Sequence, residues 1–178
     1  MAAAEQGGSA VKGSRQARRQ RAAHDEIRRL LGTADRRYTA NCQRFVDVVL
    51  AAGRPLTAEE VCRADTTLKV STVYRVASTL IDVGAVRSIP TADGVLRFEL
   101  AEQLAEHHHH LICTNCGLVL DYAVSPELER AFERAAANGA RKAGFEVQGH
   151  RFDVEGICAD CAPKCATAGA CRSMPTTR

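Results

Sequence analysis

No run of apolar residues in this chain approaches the ~20 that a membrane-crossing helix needs, so no membrane partner is expected. The N-terminus has no apolar core followed by a small-residue cleavage site. That argues against a secretory signal and leads us to expect a cytoplasmic protein, whose thiols stay reduced. The chain has no tryptophan and only 4% aromatic residues, and its second half is especially short of large apolar side chains. Such a half would be marginal on its own core, so a structural metal and dimerisation are both expected to support it. The charge surplus is small as well: a net of +3 says little about partners. No His-Glu-x-x-His occurs, so an alternative reading as a zinc-dependent hydrolase lacks its helix motif.

What is present is an ordinary soluble composition, 46% hydrophobic and 25% charged over 178 residues, enough for one good core or two small ones. Set into it are eight cysteines, which in a reducing compartment suggest metal or redox chemistry before disulfides. Four of them form two Cys-x-x-Cys pairs, Cys113 with Cys116 and Cys158 with Cys161. Each pair places two sulfurs on one tight turn, suited to two corners of a tetrahedron around Zn2+ with Zn–S near 2.3 Å. Gly117 follows Cys116, where the backbone must turn sharply. A redox dithiol of the thioredoxin type opens a helix after a strand, and neither pair has that context. The four cysteines therefore predict a structural zinc site whose removal unfolds this half. Cys42 and Cys62 read as small core residues, and Cys165 and Cys171 as spare thiols or a further metal site.

The run His107-His108-His109-His110 leads directly into the first pair. In a strand, side chains alternate between faces. His108 and His110 then point one way, His107 and His109 the other, and one run serves two places. Each histidine pair needs carboxylate or imidazole partners to make a site suited to Fe2+, Mn2+, Zn2+ or Ni2+. Glu99, Asp121, Glu127, Glu129 and His150 are the nearby candidates. The alternative is a solvated histidine patch that binds metal adventitiously, and a metal buffer or chaperone is a further reading of the same residues.

The chain divides by pattern into four parts. Residues 1–23 form a basic arm expected to be disordered, carrying Lys12, Arg15, Arg18, Arg19 and Arg21, and serving either to bind phosphates or to solubilise. Residues 24–100 carry helices over about His24 to Thr33, after Thr39, after Thr57 and from Ser71 or Thr72, with Thr57 and Glu60 at capping-box spacing. A hairpin follows, Val86 to Ile89 and Val95 to Leu100 about Asp93-Gly94. Three helices and a hairpin are the order of a winged helix-turn-helix, whose third helix enters the major groove of DNA. Residues 101–163 read as a small α/β unit. Its strands are expected over His108 to Cys113, Leu118 to Tyr122, and a third region from Phe145 to Val147 and His150 to Val154. Its helix is capped by Ser125 with Pro126 in the first position, and Leu128, Ala131, Phe132 and Ala135 make an apolar stripe. Residues 164–178 read as a flexible tail. The fold class is α/β in the broad sense, an α+β chain of two domains.

Val73-Tyr74-Arg75, Phe98-Glu99-Leu100, the His107–His110 run with Cys113-x-x-Cys116-Gly117, and Gly156-Ile157-Cys158-x-x-Cys161 occur in this order. Together they resemble the ferric uptake regulator superfamily of bacterial metalloregulators, over roughly residues 36–162. The resemblance implies a homodimer that binds a double-stranded DNA operator and represses metal-uptake or metal-homeostasis genes when loaded with metal, and no enzyme activity. It maps a structural Zn2+ onto Cys113, Cys116, Cys158 and Cys161. It maps a sensor site for Fe2+ or Zn2+ onto Glu99, His108 and His110, and a second site onto His107, His109, Glu129 and His150. Tyr74 and Arg75 correspond to recognition-helix residues, and Arg37 to a basic residue that enters the minor groove. Tyr74 read without the family is either such a contact or a core aromatic. The sequence departs from the family in two places. Gly53 to Thr57 holds no histidine where many members place a sensor ligand, which leaves Asp121 as the candidate for a fourth ligand. His109 stands where iron-sensing members have aspartate; an all-histidine run is more frequent in zinc-sensing members, while Glu99 fits the iron type.

Overall fold

A computed structural model describes residues 7–105 and 107–163, with side chains from residue 17 onward. The tail over 164–178, with Cys165 and Cys171, lies outside the described residues. The chain divides into two compact units, residues 1–90 with 96–106 and residues 91–95 with 107–178. No helix of the described residues is long and apolar enough to cross a membrane.

The first unit opens with α1 (Gly7–Thr33). This differs from the disordered arm expected over residues 1–23: the helix starts well before His24, and only residues 1–6 lie outside the described chain. Alanine and arginine are the most frequent residues over 7–23 and no proline interrupts the segment, so helix propensity prevails over the glycine and serine content that suggested disorder. Among the side chains described in α1, Ala23, Ile27 and Leu31 reach the core at four-residue spacing. In α2 (Ala40–Ala52), Thr39 accepts a hydrogen bond from the Cys42 backbone N–H, and Gly53 ends the helix at φ 58°. Cys42, Phe45, Val46 and Val49 face inward. A two-residue strand, β1 (Leu56–Thr57), follows, and α3 (Ala58–Ala64) starts on the expected capping box of Thr57 and Glu60. α4 (Val70–Asp82) begins a residue ahead of the expected start, because Lys69 at its N-cap makes no side-chain bond and left no signal. It buries Val73, Val76, Ala77 and Leu80.

The hairpin of β2 (Val86–Pro90) and β3 (Leu96–Leu100) is antiparallel, with Gly94 in its turn at φ 76°. β1 adds to the other side of β3, giving the order β1-β3-β2. Phe98 on β3 meets Phe45 at 6.1 Å between ring centroids. Helices α2 to α4 on this three-stranded sheet make a winged helix, with one continuous core.

The second unit is built on β4 (His109–Cys113), flanked by β5 (Val119–Tyr122) antiparallel and β6 (Asp153–Gly156) parallel. The expected third strand region is corrected. Phe145 to Val147 form no strand, and β6 begins at Asp153, where parallel pairing with His110 starts. α5 (Pro126–Ala143) has the expected Ser125 cap and Pro126, and stops at Gly144 with φ 72°. No residue of α5 is buried, and Leu128 and Phe132 of its stripe are exposed. Ile112, Cys113, Val119 and Cys161 are the buried apolar side chains described in this unit beyond residue 107.

Candidate metal centres and nucleic-acid face

The strand β4 places three groups of ligand-capable side chains. At its C-terminal end, Cys113 and Cys116 flank the turn into β5, and Gly117 takes φ 69° there. Cys158 and Cys161 come from the turn after β6, which lies next to β4 because of the parallel pairing. The four sulfurs lie within 4.8 Å of one another, and Cys116 and Cys158 are 3.7 Å apart. All four are free thiols. Burial works against a Cys113 thiolate, but the backbone N–H groups of Cys116, Cys158 and Asn115 outweigh it and bring its pKa down to about 6. Burial and the neighbouring sulfurs push the Cys158 thiol up. Cys113 is thus disposed to the thiolate, while the neighbouring sulfurs push Cys116 as well as Cys158 toward the thiol, a balance that a divalent cation would reverse. An S4 donor set of this span fits Zn2+.

Above the cysteines, the histidines divide by face as strand alternation predicts. His107, His109, Glu129 and His150 bring one ligand atom each within 4.8 Å of the others. Glu129 reaches in from the first turn of α5. Its Oε1 lies 3.0 Å from His107 Nε2 and 2.6 Å from His150 Nε2, and its Oε2 lies 3.0 Å from His109 Nε2. The hydrogen bond from His109 and the charges of the surrounding rings hold the Glu129 carboxyl below its ordinary pKa. Burial lowers His107, favouring the neutral ring that a metal requires. Glu129 Oε1 and His150 Nε2 are buried and close, yet neither has a hydrogen-bond partner of acceptable geometry. One carboxylate and three imidazoles within this span make an N3O set that fits a divalent transition metal.

On the opposite face, His108, His110 and Asp121 bring their ligand atoms within 4.8 Å. Asp121 on β5 stands directly across from His110, and Asp153 on β6 stands across from it on the other side. His110 Nδ1 bonds Asp153 Oδ1 at 3.0 Å, the kind of carboxylate contact that orients an imidazole ligand. His108 Nε2 lies 3.9 Å from Asp121 Oδ2. Sequence reasoning missed Asp153, because nothing in the local pattern shows a parallel partner so distant in the chain. Glu99 belongs to the first unit, where it is buried on β3 opposite Arg87 and ion-paired to it. Arg87 was not singled out from the sequence either.

In the first unit, α4 turns Lys69, Val70, Ser71, Tyr74, Arg75 and Ser78 to solvent. Tyr74 is 40% exposed and touches Phe98 only edge-on at 5.8 Å, so it is not a core aromatic. Arg37 is exposed in the loop between α1 and α2.

A family model described as the ferric uptake regulator family matches residues 34–155. The ferric uptake regulation protein of Bacillus subtilis is 30% identical over 148 residues, covering 79% of this chain and 95% of that one. The peroxide-responsive repressor of Staphylococcus saprophyticus is 28% identical over 132 residues, covering 72% and 84%. Among solved structures, the Vibrio cholerae ferric uptake regulator superposes with a TM-score of 0.57 at 26% identity, covering 74% of this chain and 98% of that one. The match runs from the loop before α2 through β6, across both units, and by it this chain belongs to the ferric uptake regulator family.

Proposed function

We propose that this protein is a metal-dependent transcriptional repressor of metal-uptake or metal-homeostasis genes, binding a double-stranded DNA operator as a homodimer. The observation that carries the reading is the use of one strand, β4, by three ligand clusters in a chain whose other unit is a winged helix. Cys113, Cys116, Cys158 and Cys161 hold a structural Zn2+. His108, His110 and Asp121, joined by Glu99, form the sensor site for Fe2+ or Zn2+. His107, His109, Glu129 and His150 form a second site. Tyr74 and Arg75 read the major groove, a ring packing on a thymine methyl and a guanidinium on a guanine edge or phosphate, while Arg37 enters the minor groove.

Glu99 lies in one unit and the histidines in the other, so their shared use as ligands would select one arrangement of the units from the available ensemble. A bound metal supplies the cross-link. Differential affinity of about 1–3 kcal/mol between arrangements suffices for a usable switch, if the selected form spaces two recognition helices for successive half-sites. The homodimer is supported by two exposed apolar surfaces of the second unit: Leu128 and Phe132 on α5, and Leu111, Leu120 and Val154 on one face of the sheet. A gel-shift titration with Fe2+, Zn2+, Mn2+ and Ni2+ tests the switch. Affinity for upstream operators should rise with the cognate ion, and flat affinity across all four ions defeats the reading.

A further inference from the structure

We propose that His24 is a positioning residue for DNA binding, clamping the loop between α1 and α2 so that Arg37 is presented to the duplex. This rests on the reading of Arg37 as a groove contact. The loop, residues 34–39, is fixed at almost every position. The backbone N–H groups of Ala34, Asp35 and Arg36 donate to carbonyls of the last turn of α1, at 3.1, 3.2 and 2.8 Å. Asp35 takes φ 53°, a left-handed conformation that aspartate tolerates. Arg36 pairs with Asp82 on α4 at 3.2 Å, and Thr39 caps α2. Arg37 is exposed and, among the described residues, has no ion pair or hydrogen bond of its own.

Tyr38, next to Arg37, is held from α1. Its hydroxyl lies 2.5 Å from His24 Nδ1, and its ring lies 5.5 Å below the Arg28 guanidinium. The other nitrogen of His24, Nε2, faces Asp47 Oδ1 on α2 at 3.0 Å, and Asp47 also accepts from Gln20 at 2.7 Å. A carboxylate only accepts, so Nε2–H donates to Asp47, and Nδ1 meets the phenol hydroxyl. Burial, and then the Asp47 carboxylate, raise the Tyr38 pKa, which keeps the donating proton in place. His24 thus ties α1, α2 and the loop through one ring with both nitrogens used. Its side chain is only 17% exposed, so it is placed to act through the loop and not on DNA directly. A backbone fixed beforehand has already lost the conformational entropy that a loose loop would lose on binding.

The experiment measures DNA affinity of the full, metal-loaded chain by fluorescence anisotropy. The duplex is one the protein itself selects from a randomised pool. Variants are His24→Phe, the milder Tyr38→Phe, Arg37→Ala, and each clamp variant combined with Arg37→Ala. Each clamp variant should weaken binding roughly twofold to tenfold, the range for one lost hydrogen bond. The log–log salt slope should become shallower by up to about 0.9 per protomer, roughly 1.8 for the dimer, the loss of one cation on DNA from each copy. Combined with Arg37→Ala, neither clamp variant should weaken binding further. If Arg37→Ala weakens binding but Tyr38→Phe does not, the clamp is refuted while the groove contact stands. If a clamp variant still weakens binding without Arg37, it acts on something else and the clamp is again refuted. If Arg37→Ala itself binds normally, the groove-contact reading fails and takes this inference with it.

Discussion

Removing metal from the cysteine cluster should melt the second unit and leave the first folded. Among the described residues, two aliphatic side chains, Ile112 and Val119, are buried in the strands of that unit, and α5 buries none of its residues. At about 1.5–3 kcal/mol per buried aliphatic side chain, the pair contributes about 3–6 kcal/mol. Structural zinc in small thiolate sites contributes about 10–16 kcal/mol of apparent binding free energy at neutral pH, which in such units is folding free energy. The metal term therefore dominates. The first unit has no such dependence: Phe45, Val46, Val61, Val73, Leu80 and Phe98 are all buried in one cluster. Hydrogen exchange followed by mass spectrometry reads both units in one experiment. After treatment with a strong zinc chelator, or with Cys113→Ser, protection should vanish over residues 109–122 and 153–156 and persist over residues 40–100. The N–H of Cys113, bonded to the Leu118 carbonyl at 2.8 Å, is a direct reporter. Protection that survives over 109–113 in fully metal-free protein refutes the reasoning, because two buried aliphatics would then suffice.

Three further outcomes are expected. His108→Ala should keep the thermal midpoint and the bound zinc while losing metal-responsive gel shifts; a variant that unfolds at room temperature would mean that structure and response had been assigned the wrong way round. Asp153→Asn should weaken metal binding at His108 and His110 by about 10–100-fold, as expected for an outer carboxylate that orients an imidazole, and an unchanged affinity in chelator competition would remove it from that role. Glu60→Gln should cost about 1 kcal/mol at pH 7, the usual size of a cap. Burial raises the Glu60 pKa, but Arg54 at 2.6 Å and the Thr57 cap outweigh it and hold it below the ordinary value. The stabilisation is thus present above the unfolded pKa and lost as pH falls through the folded one, so the gap between variant and wild type should close in denaturant melts below about pH 4.

The elements read correctly from sequence are those whose signals are local. Thr39, Thr57, Ser125 with Pro126, and Gly53 marked helix ends because capping involves atoms three residues apart. The two Cys-x-x-Cys turns and the parity of the histidines were legible for the same reason. Tyr74 was legible as helical, but its exposure depended on how Val73, Val76, Ala77 and Leu80 chose the inward face. Asp153 beside His110, and His24 between Tyr38 and Asp47, were invisible because each joins residues brought together only by folding. The start of α1 was misread for a different cause. Glycine and serine argued for disorder, alanine and arginine for helix, and over Gly7 to Ala23 the helix formers prevailed.

The cysteine cluster also decides whether the histidines can be sorted at all. A strand with polar side chains on both faces has weakly specified register, and a slip of one residue exchanges its faces. β4 is such a strand: His109 and His110 are both buried, on opposite sides, and little apolar surface resists a slip. A slip would carry His109 to Asp121 and Asp153, and His110 toward Glu129. The knuckle opposes this from the far end of the same strand. The Cys158 N–H donates to Cys113 Sγ at 3.3 Å, and the Thr114 N–H to the Gly156 carbonyl at 2.9 Å. Ligation of all four sulfurs would fix those contacts, and with them the partner of every histidine upstream. The dependence then runs one way. Loss of any one cysteine ligand should abolish metal binding at both histidine sets, though no sulfur touches them, whereas His108→Ala or Glu129→Gln should leave the cysteine-bound zinc in place. Tight regulatory-metal binding by a zinc-free Cys113→Ser chain would show that hydrogen bonding alone holds the register of β4.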